Sequence, residues 1–258
     1  MPGLSQRRAA LVARLRIAKT RGAEGAVLVE GVRAVSEALD AGVAVRFAVT
    51  SPRIETTEEG RTLTKRLEAL ELAQVEEDDL AKISDTEHSQ GVLIVAAEPD
   101  GSLGAIRPKG RYLVLDGVQD PGNAGTLVRA AVAFGLDAVL CVDGTVDPWI
   151  PKTVRASAGM IFRIGVVRAK AGEVVERLRD AGVSILVADA KGEDPREQGD
   201  SDGFALVVGN EGAGVRTELA GQADAVVAVR MEGPAESLNV AMAGSILLHS
   251  LTRRGERG

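Results

Sequence analysis

Residues 225–249 hold three consecutive pieces: Ala225-Val-Val-Ala-Val-Arg-Met231, Glu232-Gly-Pro-Ala-Glu-Ser237 and Leu238-Asn-Val-Ala-Met-Ala-Gly-Ser-Ile-Leu-Leu-His249. The first piece is apolar in the manner of a buried parallel strand, and the last has apolar residues on every helical face. The stretch therefore predicts a strand, a loop and a buried final helix. Because Gly inside a helix costs about 1 kcal/mol relative to Ala, we expect another backbone to approach Gly244 closely.

Two further loops follow apolar strands upstream. The predicted strand 205–209 leads into Asn210-Glu-Gly-Ala-Gly214, whose glycines let backbone N–H groups approach a ligand. The predicted strand 112–118 leads into Asp120-Pro-Gly-Asn-Ala-Gly125 and a helix over 126–134. From residue 111 onward strands alternate with helices, which is typical of a layered α/β domain with a mainly parallel sheet.

The first hundred residues predict a separate, smaller α/β unit. Its expected strands are residues 26–30, 46–50 and 91–97, and its expected helices are residues 32–39, 62–72 and 79–83. A linker rich in turn residues, Glu98-Pro-Asp-Gly-Ser-Leu-Gly104, follows it. We therefore divide the chain into domains 1–104 and 105–258.

Charge is distributed unevenly along the chain. The net charge of −6 argues against a purely electrostatic nucleic-acid binder. Residues 1–22, by contrast, carry six basic side chains and no acidic one, and residues 4–21 read as one basic amphipathic helix. Such a helix either presents a solvated face or contacts RNA phosphates. The candidate RNA contacts in it are Arg7, Arg8, Arg14 and Arg16.

Cysteine content and hydropathy exclude several classes of protein. The single cysteine, Cys141, lies in an apolar strand and is interpreted as a core residue, so a disulfide framework and a cysteine-based metal site are excluded. No apolar run is long enough to span a bilayer and no secretory segment is evident, so we expect a cytoplasmic protein. Neither a dinucleotide-binding nor a nucleotide-phosphate glycine loop is present, which disfavours dehydrogenase and NTPase functions.

The three loops together resemble the motifs of the SpoU family of RNA ribose 2'-O-methyltransferases, in the knotted SPOUT superfamily. The matching residues are Asn123-Ala-Gly125 with Arg129, Gly209-Asn-Glu-Gly-Ala-Gly214, and Val229-Arg-Met231 with Ser237-Leu-Asn-Val240. The first unit resembles the substrate-binding domain that precedes many SpoU catalytic domains, through Val29-Glu-Gly-Val-Arg33 and Lys82-Ile-Ser-Asp-Thr-Glu-His-Ser-Gln-Gly91.

The resemblance implies a parallel sheet with a deep C-terminal trefoil knot and a pocket for S-adenosylmethionine, with no metal. The cofactor-binding residues carried over by position are Ala188, Asp189, Ala190, Gly209, Asn210, Gly212, Val229, Met231, Ser237 and Leu238. It also implies a homodimer that pairs through the final helix and the helix after the first motif. That pairing would place Ala130, Ala133, Met242 and Leu248 near a symmetric contact.

The resemblance further implies a catalytic set of Arg129, Asn123, Glu211, Ser237 and Asn239. Because a guanidinium keeps its proton to a pH above about 12, stabilising a developing alkoxide suits Arg129 better than acting as a base. Glu211 would hold Arg129, polarise the hydroxyl, or simply stabilise a helix start. Helix capping is the alternative for Ser237 and Asn239. Lys152 and Arg155 are further candidate RNA contacts.

The expected function is methyl transfer from S-adenosylmethionine to a ribose 2'-hydroxyl, with ribosomal RNA as the favoured substrate. Transfer RNA is the second choice of substrate. Methylation of a base nitrogen is a rival reaction within the same superfamily, and a non-catalytic RNA-binding protein is a rival of another class. Mass spectrometry of digested, methylated RNA distinguishes these possibilities.

Overall fold

The computed structural model describes residues 3–86, 88–195, 203–234 and 237–253. The chain forms two compact units. The first unit contains the residues up to Pro99 together with Trp149–Arg163, and the second contains Asp100–Pro148 and the residues from Ile164 onward. This division differs from the expected one, because it falls five residues before the predicted boundary and assigns Trp149–Arg163 to the first unit.

The first unit is a four-stranded sheet with helices. Its elements are α1 (Gln6–Arg14), α2 (Ala18–Glu24), β1 (Ala26–Glu30), α3 (Val32–Asp40), β2 (Val45–Thr50), α4 (Glu58–Leu67), β3 (Leu72–Gln74), α5 (Glu77–Ile83), β4 (Val92–Ala97) and α7 (Pro151–Ala156). The strand order is β1-β4-β2-β3, with β2 and β3 parallel and the other two pairs antiparallel. Strand β3 falls at the end of the predicted helix 62–72, which in the structure begins and ends earlier as α4.

The N-terminal basic segment is two helices, so the prediction of one continuous helix was wrong. Ser5 caps α1 by accepting a hydrogen bond from Arg8 N, and the helix ends at Arg14. Val12 and Leu15 are buried, and Arg21 is also buried and donates to the carbonyl of Leu15 at 2.8 Å. A side-chain bond to the carbonyl at the break thus stabilises the turn between the helices.

Trp149–Arg163 packs within the first unit through both apolar and charged contacts. Trp149 is buried, and its ring centroid lies 5.7 Å from that of Phe162. A Cβ on Gly159 would come within 2.8 Å of Ala34 Cα, so only glycine permits this approach. The charged contacts are Arg163 with Glu37, 126 positions apart, and Arg155 with Asp85, 70 positions apart. Because these partners are remote along the chain, the sequence pattern contains no signal for this docking.

The second unit is a six-stranded parallel sheet flanked by helices. Its elements are β5 (Arg111–Leu115), α6 (Pro121–Ala133), β6 (Ala138–Val142), β7 (Gly165–Ala169), α8 (Ala171–Asp180), β8 (Ser184–Glu193), β9 (Phe204–Val208), α9 (Thr217–Ala220), β10 (Ala225–Val227) and α10 (Val240–Thr252). The strand order is β10-β8-β9-β5-β6-β7, and every described pairing is parallel. The predicted α/β fold with a parallel sheet is therefore confirmed, and the trefoil knot stays a prediction.

Helix α10 packs against α6 and β9. A Cβ on Gly244 would lie 2.5 Å from Leu127 Cδ2 of α6 and 3.4 Å from Val208 Cγ1, so the neighbours that approach Gly244 are side chains. Met242 and Ile246 are exposed, whereas the sequence pattern predicted burial on all faces. Among the described residues, no helix is both long and apolar enough to cross a membrane.

Candidate functional site

The three predicted loops meet at the carboxyl ends of the parallel strands, where their polar side chains form a hydrogen-bonded relay. Asn123, in the first turn of α6, donates from Nδ2 to Glu211 Oε1 at 2.9 Å. Asn239, the N-cap of α10, donates from Nδ2 to Asn123 Oδ1, also at 2.9 Å. The Glu211–Asn123–Asn239 relay therefore joins side chains from all three motifs.

The orientation of both amides in the relay follows from its two ends. A carboxylate can only accept, so Asn123 must turn its NH2 group toward Glu211 and its oxygen toward Asn239. At the other end, Asn239 Oδ1 accepts from Ala241 N at 2.9 Å and Met242 N at 3.3 Å. Because those backbone groups can only donate, Asn239 must direct its NH2 group toward Asn123.

Glu211 is held by the first motif rather than by Arg129. Besides Asn123, it accepts from the backbone N–H groups of Gln119 at 3.4 Å and Asp120 at 3.3 Å. Partial burial raises the pKa of Glu211, but these hydrogen bonds outweigh it, so that the pKa lies below its usual value. The expectation that Glu211 holds Arg129 is therefore replaced by a charged Glu211 that binds Asn123.

The loop that carries Glu211 is closed by its own backbone. Asn210 and Gly214 exchange two N–H···O bonds of 2.9 Å, and Asn210 Oδ1 accepts from Gly212 N and Ala213 N at 3.0 Å. A Cβ on Gly209 would lie 2.1 Å from the carbonyl carbon of Gly214, so no other residue fits there. The side chain of Asn210 is thus committed to the shape of the loop.

A cavity of about 800 Å³ lies beside the relay. All the residues predicted to bind the cofactor line it except Gly212, whose N–H is used inside the loop. Glu211 and Asn239 line it as well. The lining residues absent from the prediction include Gly192, Asp194, Ala228, Val240, Ala243 and Leu247. Two features of the sequence could have predicted these residues: a glycine within a strand, at position 192, and the small residues of α10.

Arg129 does not reach the relay within the chain. It lies in the third turn of α6, is exposed, and has no hydrogen-bond or ion-pair partner among the described residues. A separation of six residues places it on a different face of the helix from Asn123, because six steps of 100° do not complete whole turns. The described residues also contain no cluster of His, Cys, Asp and Glu that could hold a metal ion.

Several arginines predicted to contact RNA are engaged inside the first unit. Arg16 donates to the carbonyls of Ile83 at 2.7 Å and Ser84 at 2.6 Å. Arg155 lies 3.6 Å from the buried carboxylate of Glu30 and 3.1 Å from Asp85. Burial raises the pKa of Glu30, although a backbone hydrogen bond and the charge of Arg155 oppose the shift. Both arginines therefore have structural partners.

The other cations predicted to contact RNA differ in whether they have partners within the chain. Arg8 pairs with Glu71 and lies 5.1 Å above the Phe47 ring, and the exposed Arg14 pairs with Glu24 at 3.0 Å. Arg7 and Lys152 are exposed, with no partner in the described part of the chain. Only these last two cations are fully available to an RNA phosphate.

Two family models match the chain. Residues 110–249 match the SpoU rRNA Methylase family, and residues 10–94 match the MRM3-like substrate binding domain. Among curated proteins, the chain is 37% identical to the 23S rRNA (guanosine(2553)-2'-O)-methyltransferase RlmP of Bacillus subtilis, over 92% of this chain and 93% of that protein. It is 31% identical to the 23S rRNA (uridine(2479)-2'-O)-methyltransferase of Streptomyces viridochromogenes, over 89% of this chain and 83% of that protein.

Solved structures give the same result. The AdoMet-bound rRNA methyltransferase of Sinorhizobium meliloti superimposes with a TM-score of 0.85 at 30% identity, covering 100% of this chain and 98% of that one. The SpoU methyltransferase AviRb of Streptomyces viridochromogenes, in complex with AdoMet, gives a TM-score of 0.86 at 28% identity, covering 98% and 100%. With its three motifs gathered at one edge of the sheet and most of its length matched, the chain belongs to the SpoU rRNA methylase family.

Proposed function

We propose that the chain transfers the methyl group of S-adenosylmethionine to a ribose 2'-hydroxyl of ribosomal RNA. The observation that supports this most directly is the Glu211–Asn123–Asn239 relay, of which Glu211 and Asn239 line the cavity. The names of the relatives from Bacillus and Streptomyces describe 2'-O-methylation of 23S rRNA, which favours ribosomal over transfer RNA.

The residues of the cavity fit S-adenosylmethionine. Apolar side chains such as Leu238 and Leu247 suit the adenine ring, and the loop backbones offer hydrogen-bonding groups. Glycine is required in the wall, because a Cβ on Gly192 would lie 2.5 Å from the carbonyl carbon of Val227. When bound there, the cofactor supplies an electrophilic methyl group on a sulfonium.

The chain's own residues would place and activate the ribose. Glu211 is charged and its carboxylate is occupied by Asn123 and two backbone N–H groups, so it positions the first motif rather than taking a proton. Ser237 is exposed at the cavity and would orient the ribose. Because Arg129 does not reach the relay within its own chain, it would act from a second copy, stabilising the alkoxide that develops on the 2'-oxygen while the hydroxyl proton passes to solvent. In-line positioning then accounts for most of the rate.

The direct test is methylation of ribosomal RNA by the purified protein, followed by nucleoside digestion and mass spectrometry. A 2'-O-methylnucleoside is expected from ribosomal RNA taken from cells that lack the gene. Arg129→Ala should abolish the product while leaving the affinity for S-adenosylmethionine within a few-fold, and Arg129→Lys should rescue poorly because it lacks the planar fork. A base-methylated nucleoside, or activity on transfer RNA alone, would overturn the proposed reaction or substrate.

RNA affinity in the first unit would come from its exposed cations. We assign it to Arg7 and Lys152, and also to Arg14, because the Arg14 side chain is 58% exposed and a surface ion pair such as that with Glu24 is weak. Arg8, Arg16 and Arg155 are excluded, because their side chains are at most 34% exposed and are bound within the first unit. Reversing the three charges should weaken RNA binding and flatten its salt dependence, because fewer counterions are released. An unchanged salt slope would contradict this assignment.

We also propose that the protein is a homodimer and that it is cytoplasmic. Met242 and Ile246 of α10 and Ala133 of α6 are exposed in a single chain, and a second copy would cover them. Leu248 is fully buried and Ala130 nearly so, which removes both from the predicted contact. A ribosomal RNA substrate would place the enzyme in the cytoplasm.

A further inference from the structure

Arg216 ends the loop that begins at Asn210, and it is bound tightly to the exit of the neighbouring strand β5. Its backbone N–H donates to Asp116 Oδ2 at 2.7 Å, and its Nε donates to Asp116 Oδ1 at 2.5 Å. The Asp116 side chain is only 2% exposed, and its backbone N–H donates to the carbonyl of Val208 in β9 at 2.9 Å. Both oxygens of a buried carboxylate are therefore used to hold one residue of the loop.

The same guanidinium also reaches the exit of β6. Its NH1 donates to Asp143 Oδ2 at 3.0 Å, and its NH2 donates to the carbonyl of Asp143. Hydrogen bonding from Arg216 is the largest of the effects that lower the pKa of Asp143. One side chain thus connects the ends of β5 and β6 to the loop that follows β9.

The start of the loop, at Asn210, is held by Gly117, the residue that follows Asp116. Asn210 Nδ2 donates to the carbonyl of Gly117 at 2.9 Å, and Gly117 N donates to Thr145 Oγ1 at 3.0 Å. Asp116 and Gly117 are adjacent, so two consecutive residues anchor the start and the end of the loop. Glu211 lies between these anchors and binds Asn123.

We propose that Arg216 is a positioning residue for cofactor binding and methyl transfer. By bridging Asp116 and Asp143 it keeps the loop in the shape that directs Glu211 toward Asn123 and forms one wall of the cavity. The inference rests on the proposed cofactor site, because Arg216 itself does not line the cavity. It acts through Gly209, Asn210, Glu211 and Gly214, which do.

The geometry requires arginine rather than any cation. Arginine presents a planar fork that can serve two carboxylates and a carbonyl at once, whereas a lysine ammonium is a single point charge. Arg216→Lys would keep a positive charge beside buried Asp116 and so should fold, but it would lose the bridge to Asp143. Arg216→Ala leaves the Asp116 carboxylate unpaired and is expected to be the less stable variant.

The experiment is calorimetric titration of S-adenosylmethionine into wild type, Arg216→Lys and Arg216→Ala, each well below its melting temperature. We expect Kd to rise about ten-fold in Arg216→Lys and further in Arg216→Ala, the size expected for a lost coupled contact. In steady-state assays KM for the cofactor should rise and kcat should fall, because the cavity wall and Glu211 both move. The matched control is Arg179→Ala, which removes a 2.7 Å pair with Asp224 in the same unit but away from the cavity.

The outcomes separate this inference from the proposed function. A wild type that does not bind S-adenosylmethionine would remove the cofactor site itself. Wild-type Kd, KM and kcat in folded Arg216→Lys would overturn the positioning role and leave the cofactor site intact. An equal rise of Kd in Arg179→Ala would show that general destabilisation, rather than the loop, is responsible, and would also overturn the inference.

Discussion

The side chain of Asn239 both caps a helix and donates a hydrogen bond to Asn123. Its oxygen caps α10 by accepting from the N–H groups of Ala241 and Met242, and its NH2 group donates to Asn123. Capping requires only an acceptor, which Asp and Ser supply as well as Asn does. The relay requires a donor in addition, and that requirement selects Asn. Helix capping by Asn239 is therefore observed, its catalytic role stays a prediction, and the two can be separated by substitution.

Asn239→Asp should abolish most activity without destabilising the helix. The carboxylate still caps α10 and is favoured at a helix N-terminus, but it meets the oxygen of Asn123. If the Asn123 amide turns over, its oxygen meets Glu211 instead, so the relay fails in either arrangement. We expect kcat to fall about 100-fold, as for loss of one oriented donor. Asn239→Ser keeps the cap without added charge and should lose activity similarly. Wild-type kcat in either variant would contradict a role for the relay.

Glu211 gives a prediction with a definite pH dependence. Its pKa in the folded protein lies below the ordinary value of 4.5, because hydrogen bonds to the charged form outweigh burial. A depressed carboxyl pKa contributes stability that is complete above the unfolded pKa and is lost as the pH falls through the folded pKa. The difference in unfolding free energy between wild type and Glu211→Gln should therefore be constant at neutral pH and shrink only below pH 4.5. A difference that shrinks between pH 5 and 7, roughly the range of histidine titration, would contradict this.

At the scale of elements, the close packing of α10 against α6 depends on Gly244. A Cβ there would come within 2.5 Å of Leu127 Cδ2, and Leu127 is completely buried. Glycine is unfavourable inside a helix, so its presence is explained by this contact. The two helices carry Asn123 and Asn239, and their spacing therefore sets the length of the relay.

Gly244→Ala should destabilise the second unit despite the higher helix propensity of alanine. The gain of about 1 kcal/mol is opposed by overpacking of about 1–3 kcal/mol, which gives a net loss of roughly 1 kcal/mol. Urea unfolding would measure it. Leu127→Ala makes space for the new methyl group, so the double variant should be less destabilised than the sum of the single ones. Strict additivity, or a more stable Gly244→Ala, would show that the helices have room.

At the scale of the whole molecule, the exposed apolar face of α10 is the surface through which we propose that two copies of the chain pair. Met242 is 56% exposed and Ile246 is 42% exposed, and they lie one helical turn apart. A symmetric dimer would bury the same face from both chains, so one substitution acts twice. The face lies on the helix that Asn239 caps, and loss of the dimer is therefore expected to reduce activity.

Ile246→Glu should convert a dimer into a folded monomer with little activity. Because Ile246 is exposed in a single chain, the charge does not disturb the core, but it would be buried unpaired between two copies. The matched control is Ile17→Glu, which alters an isoleucine that is 59% exposed in the first unit and should leave the dimer intact. Sedimentation analysis distinguishes the states. A wild type that is monomeric at assay concentration and still methylates RNA would exclude the dimer.

The sequence predicted the bounds of an element best where the local pattern of apolar and turn residues was enough to define them. The strand 26–30 was predicted with its observed bounds, because a short, mainly apolar run between Gly25 and Gly31 allows little else. The ends of other elements were displaced. Helix α6 begins at Pro121, within the predicted loop, because Asp120 caps it by accepting from Asn123 N. The strand expected to reach Met231 ends at Val227, where its pairing with β8 becomes irregular.

By itself the sequence determined the α/β class and the order of the three loops, because these follow from residue type and spacing. The resemblance to the SpoU family supplied the family and the ten predicted cofactor-binding residues, of which all but Gly212 line the cavity; about half of the lining was not predicted. Only the tertiary structure decided which hydrogen-bond and ion-pair partners the charged side chains have. It directed Glu211 to Asn123 instead of Arg129, and it engaged Arg16 and Arg155 with partners inside the first unit. It also placed Arg216 across the ends of β5 and β6. A charged side chain has many possible partners at comparable sequence distance, and the choice is made by packing of residues that are remote along the chain.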